Sequence, residues 1–171
     1  RGLTRLAPIV HAIKKEFSTF VGLRGFPPKN KQTLDKVYAA GIDLLNFPLE
    51  GFVGFAKEED DISSALVYSA LEYAAEIFPP GTVWTELFLE PSSIDSLKDK
   101  IDYLTKKKIL PLLKLMPPPA LKEKDHQHFT EAAGYLEQAV LGARIPLKWL
   151  FPQCRYMSAL DTKFYLDQPS K

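Results

Sequence analysis

Cysteine is almost missing: the 171 residues hold one, Cys154. An internal disulfide is therefore excluded, and a lone thiol cannot anchor an iron–sulfur cluster or a cysteine-rich zinc site. Charge of one sign is missing too. Lys and Arg total 22 against 21 Asp and Glu, so the chain lacks the electrostatic footprint of a protein that binds nucleic acid or an anionic membrane. No stretch reaches about 18 uninterrupted apolar residues, the minimum for a membrane-crossing helix. No secretory leader is visible at the start, where residue 1 is Arg. Together these absences point to a cytoplasmic setting. Glycine-rich phosphate loops are absent after every strand-like segment, which argues against a nucleotide-binding open sheet. Proline is plentiful, but it gathers in "FPPK", "FPPG", "EPSS" and "MPPPA", where it punctuates elements.

The rest is a regular alternation. Helical spacing of Leu6, Ile9, Val10 and Ile13 gives way to a short strand over 20–25, stopped by Gly25 and a proline pair. "KQTLDKVYAAGI" is helical and ends at Gly41, and "DLLNFPLE" is a strand over 44–49. A long helix follows a run of acids, then a strand over 83–90. "SSIDSLKDKIDYLTKKK" has a serine to cap its start and lysines to suit its end, and a strand over 109–116 runs into "MPPP". A last helix leads to "RIPLKWLF", a fifth strand over 145–150. Strands separated by helices of this length pair in parallel through crossovers.

The expected fold class is α/β. Its architecture is part of a (β/α)8 TIM-type barrel, with five or six parallel strands and alternating helices. A whole barrel takes about 250 residues, so residues 1–171 read as one domain that is the later part of such a barrel. Residues 152–171 read as a C-terminal extension.

Ligands collect at the carboxyl ends of parallel strands. Arg24, Asn46, Glu50, Glu90, Lys114, Met116 and Lys148 fall there, and Glu86 alternates onto one face with Phe88 and Glu90. The plain structural reading of these charges is an internal ion-pair network, such as Glu86 with Lys114.

"AGIDLLNFPLEGF", "ALEYAAEIFPPGTVWTELFLEPSS" and "KKKILPLLKLMPPP", taken in order, resemble the later half of radical S-adenosylmethionine enzymes, the biotin-synthase-like branch above all. The resemblance covers roughly residues 3 to 120. It implies that Glu50 accepts hydrogen bonds from the ribose hydroxyls of S-adenosylmethionine, with Asn46 behind it. It implies that Glu90 lies beside the cofactor and that Leu115 and Met116 border the adenine. Arg24, Glu86 and Lys114 would then meet cofactor or a small-molecule substrate. The sequence departs from the family pattern at Pro48, where a second polar residue is usual, and at Phe88 and Leu89, which replace small residues. The family's Cys-x3-Cys-x2-Cys loop, which holds a [4Fe–4S] cluster, has no counterpart here. The resemblance implies that it lies upstream of Arg1, so that this chain alone binds no cluster and is inactive.

Two other readings fit the same residues. One is a different barrel enzyme of the aldolase type, using Lys114 as a Schiff-base amine. The other is a non-catalytic scaffold. His126 and His128 in "KDHQHF" look like a metal pair but read better as solvated capping residues at a helix start. His11 reads as a surface residue, Cys154 as a buried thiol, and "KEEDD" as the acidic start of a helix. An interrupted barrel also has open sheet edges and uncovered interior side chains such as Phe47, Phe88 and Leu113. Self-association is therefore expected, unless "CRYMSALDTKFYL", with apolar residues at helical spacing, folds back over an edge.

Overall fold

A computed structural model describes residues 5–49, 63–89, 94–115, 123–147, 149, 150, 156 and 157. Among these, helices and strands alternate: α1 (Leu6–Glu16), β1 (Gly22–Arg24), α2 (Thr33–Ala39), β2 (Leu44–Asn46), α3 (Ser64–Ile77), β3 (Val83–Leu89), α4 (Ile94–Lys106), β4 (Leu110–Leu115), α5 (Glu123–Gly142) and β5 (Tyr156–Met157). Strands β1 to β4 are all parallel, and β5 is antiparallel to β4. The chain divides into two compact units, Arg1–Thr85 and Glu86–Lys171, with the boundary inside β3.

In the first unit the order is β1-β2-β3, with Gly22, Leu23 and Arg24 beside Leu44, Leu45 and Asn46, and with Leu45 and Asn46 beside Val83 and Trp84. Much of the apolar spacing seen in the sequence becomes the core: Leu34 and Val37 of α2, Val67, Ala70, Leu71 and Ala74 of α3, and Leu45 and Val83 of the sheet are buried, whereas of Leu6, Ile9, Val10 and Ile13 in α1 only Val10 is buried and Ile9 is exposed. Tyr38 stays partly outside and packs edge-on against Phe78 at 4.9 Å. Asp43 ties three pieces together. It accepts from the backbone N–H of Val21 at 2.8 Å and pairs with Lys14 at 2.7 Å, which joins α1 to the starts of β1 and β2. Gly41 allows this approach. Its φ is +95°, and a Cβ there would lie 3.4 Å from Val10. Helix α3 is capped by Ser63, whose hydroxyl accepts from the N–H of Leu66.

In the second unit α4 packs on α5 through Leu97, Ile101 and Leu104 on one side and Ala132, Ala133, Leu136 and Val140 on the other, all buried. Both helices end by the same device. Lys108 (φ 62°) and Arg144 (φ 54°) turn into the left-handed region. The N–H groups of Ile109 and Ile145 then reach back to the carbonyls of Leu104 and Val140. This is a Schellman closure made without glycine, with its apolar pair buried in each case. The lysines of "TKKK" therefore contribute more than a dipole partner: one of them is the turning residue, and its ammonium bonds the carbonyl of Ala143.

Four expectations are corrected. The fifth parallel strand does not form at the described residues of 145–150. Arg144 has just reversed the chain, Pro146 has no N–H to give a ladder, and Leu150 closes a turn onto Leu147. The second strand stops at Asn46, short of 49, because Pro48 ends its ladder. Within "CRYMSALDTKFYL", Tyr156 and Met157 are extended, not helical, and lie beside Lys114 and Leu113 on the edge of β4. Phe47 and Leu113, expected to be uncovered, are 1% and 0% exposed.

Across the α4–α5 contact, Lys98 meets Glu131 at 2.6 Å and stands over the ring of Tyr135, whose hydroxyl donates to Asp102 at 2.8 Å. The hydrogen bond from Lys98, then its charge, hold the Glu131 carboxyl below the usual carboxylate range. The bond to Glu131 raises Lys98. A depressed carboxyl contributes stability that is present at neutral pH and is lost as pH falls through and below that range; a raised ammonium loses its share only in strong alkali. The urea midpoint of the wild type should therefore exceed that of Glu131→Gln at neutral pH, and the gap should close on acidification to about pH 3. A gap that stays constant would mean the pair contributes nothing.

Candidate functional site

A row level with the carboxyl ends of β1 and β2 and with the start of β3 follows from register. In a parallel sheet, residues paired side by side point to the same face. Arg24, Asn46 and Trp84 are such a set, each the in-register neighbour of the next. Arg24 closes β1 and is exposed; Asn46 closes β2 and is 1% exposed. Asn46 uses both ends of its amide. Its Oδ1 accepts from Nε of Arg24 at 3.1 Å, and its Nδ2 donates to the carbonyl of Trp84 at 3.2 Å. An arginine can only donate and a carbonyl can only accept, so these partners dictate which way the amide faces. A buried amide without them would be strongly unfavourable.

The opposite face of the same strands supplies a second fixture. Thr85 is fully buried beside Val83 and Leu87. Its hydroxyl donates to the carbonyl of Phe47 at 2.7 Å and accepts from the N–H of Leu49 at 3.0 Å. The chain needs this because Pro48 interrupts the backbone ladder. One side-chain hydroxyl thus fixes the segment 47–49, directly before Glu50. Sequence reasoning missed Thr85. The signal was present: a hydroxyl at a position whose i±2 neighbours are Val83 and Leu87 must find partners inside the core.

In the second unit, Glu86 and Phe88 share a face of β3 by strand alternation. Glu86 is 1% exposed and Phe88 is half-buried. Lys114, on β4, is half-buried with its ammonium 5.4 Å from the centroid of the Phe88 ring, a cation–π distance. Glu86 stands in the middle of its strand, three residues before the end.

Of the residues singled out from sequence, the structure thus joins Arg24 to Asn46 and Lys114 to Phe88. Among the described residues, what Asn46 serves is Arg24 and the carbonyl of Trp84. Glu50, Glu90, Met116 and Lys148 lie outside the described residues, as does the side chain of Leu115, the last residue of β4. The acidic run 57–61 and Cys154 are also outside them. His11 is exposed on α1. The expected capping role for His126 and His128 is corrected: α5 already begins at Glu123, so both lie within the helix. His128 is half-buried near Glu131, with an Nδ1 that has no hydrogen-bond partner. Among the described residues no three His, Cys, Asp or Glu side chains gather as a metal site, and no helix is long and apolar enough to cross a membrane.

Comparison with protein-family models, curated proteins and solved structures finds no match to this chain.

Thr85→Val keeps the shape of the side chain and removes the hydroxyl, leaving a buried carbonyl and a buried N–H without it. The substitution should cost about 1–3 kcal/mol in urea unfolding, with Thr85→Ser recovering much of the loss. A Val variant as stable as the wild type would show that the 47–49 segment is held some other way.

Proposed function

We propose that this chain is the later part of a radical S-adenosylmethionine enzyme barrel, supplying cofactor and substrate contacts. In this reading the [4Fe–4S] cluster is carried by a Cys-x3-Cys-x2-Cys loop upstream of Arg1. The observation that carries the proposal is the pair Arg24–Asn46, bonded to each other at the carboxyl ends of the adjacent parallel strands β1 and β2, the end of a strand where α/β folds place their ligands.

The cluster does not fit this chain's own residues. There is one cysteine, and the described residues gather no three metal ligands. The cofactor fits better. The segment after β2 is clamped by Thr85 and leads straight into Glu50, the residue that the resemblance assigns to the ribose. A carboxylate there takes two hydroxyl donors with charge assistance. S-adenosylmethionine, when bound in such enzymes, supplies the radical that attacks a substrate; the residues of this chain bind and orient. Thr85 holds the approach to Glu50, Asn46 holds Arg24, and Lys114 with Phe88 offers a cation and a ring face to a substrate group.

Isothermal titration of the chain with S-adenosylmethionine tests this. A partial pocket should bind saturably with a dissociation constant on the order of 1 mM, equivalent to about 4 kcal/mol. Glu50→Gln should weaken that binding about tenfold, the scale of one charge-assisted hydrogen bond. Absence of saturable binding, or binding indifferent to Glu50, would overturn the reading.

A further inference from the structure

Strand β4 reads LPLLKL, and Lys114 is its one charged residue. Leu110 and Leu112 precede it on the same face and are 0% and 2% exposed, so the lysine ends an apolar row. It stands one residue before the carboxyl end of β4. Phe88 stands one residue before the carboxyl end of the adjacent parallel strand β3. Both are half-buried, whereas Leu87 and Leu89, which flank Phe88 and point to the other face, are 0% and 3% exposed. The face of Lys114 and Phe88 is thus accessible at the strand ends, where α/β folds place their ligands. The ammonium lies 5.4 Å from the centroid of the Phe88 ring, and among the described residues nothing accepts a hydrogen bond from it. The ion pair with Glu86 that the sequence suggests does not form. Glu86 lies deeper on the same face, two residues before Phe88, and is 1% exposed. An ammonium has three donors to satisfy, and a ring face attracts its charge without supplying a lone pair. A half-buried cation is thus held at the ligand end of the sheet with its hydrogen bonds still to be made.

We infer that Lys114 is an anion receptor at the carboxyl end of β4, and that it takes a carboxylate or phosphate group of the substrate. A compact ammonium binds either group as a point charge, through whichever of its N–H groups faces an oxygen. The inference rests on the reading that ligands sit at these strand ends, not on the identity of the cofactor.

The test follows the Lys114 side chain by NMR in the full chain carrying carbon-13-labelled lysine, its Cε signal identified by its loss in Lys114→Met. Inorganic phosphate and acetate are titrated separately at constant ionic strength, with the exposed Lys106 as the reference. A saturable shift at Lys114 is expected with at least one anion, about tenfold tighter than any shift at Lys106. Stronger binding of phosphate assigns a phosphate-bearing substrate, and stronger binding of acetate a carboxylate-bearing one. No saturable shift with either, or a shift matched at Lys106, overturns the inference. Isothermal titration with the tighter anion then compares the wild type with Lys114→Met, which keeps the apolar stem and removes the charge. About tenfold or more weaker binding is expected, and equal affinity would overturn the inference. Should Lys114→Met fail to fold, Lys114→Gln replaces it under the same two outcomes. Failure of the S-adenosylmethionine titration alongside success here would remove the cofactor reading and leave the anion receptor standing.

Discussion

A buried asparagine amide must have both of its ends satisfied, and in the first unit that requirement ties the ends of β1 and β2 to the start of β3. Asn46 can sit with 1% exposure only because Arg24 donates from one side and the carbonyl of Trp84 accepts on the other. Those partners exist only in one register, with β1, β2 and β3 parallel and Arg24, Asn46 and Trp84 level with one another. A slip of one residue would turn Asn46 onto the face occupied by Leu45 and Val83, with no partner for its amide. The polar row therefore specifies the register of the sheet. Thr85 applies the same logic from the other face, where its hydroxyl replaces the ladder that Pro48 removes.

The second unit rests on different contacts. Its two helices meet through buried leucines and alanines, rimmed by Lys98, Glu131, Tyr135 and Asp102. Each helix is closed by a residue in the left-handed region that is not glycine. Such closures hold the residues that follow, Ile109 and Ile145, inside the core. One closure delivers the chain into β4. The other delivers it into a turn, and the strand next to β4 on that side is formed later, by Tyr156 and Met157.

The alternation of elements was legible because each segment carries its own period. The described cores of the first four strands fall inside the ranges read from sequence, and the apolar faces of α2 to α4 are buried as their spacing implies. The failures have local causes. "RIPLKWLF" has the composition of a strand, but the preceding reversal at Arg144 depends on a left-handed φ that an arginine does not advertise. The site was legible residue by residue and not as an arrangement. Arg24 and Asn46 were both singled out, yet their contact spans 22 positions and depends on the pairing of two short strands. Thr85 was overlooked since its partners are backbone groups of another segment, which side-chain chemistry alone does not reveal. Glu50 and Glu90 keep the roles that the resemblance implies for them as proposals.

The most direct measurement is a crystal structure of the chain grown with S-adenosylmethionine. The account predicts the nucleoside at the carboxyl end of β2, its ribose beside residues 46–50, with the amide of Asn46 still bonded to Arg24. A nucleoside bound at the opposite end of the strands or on the outer surface of the helices would contradict it, as would an Asn46 turned away from Arg24 to meet the ligand itself.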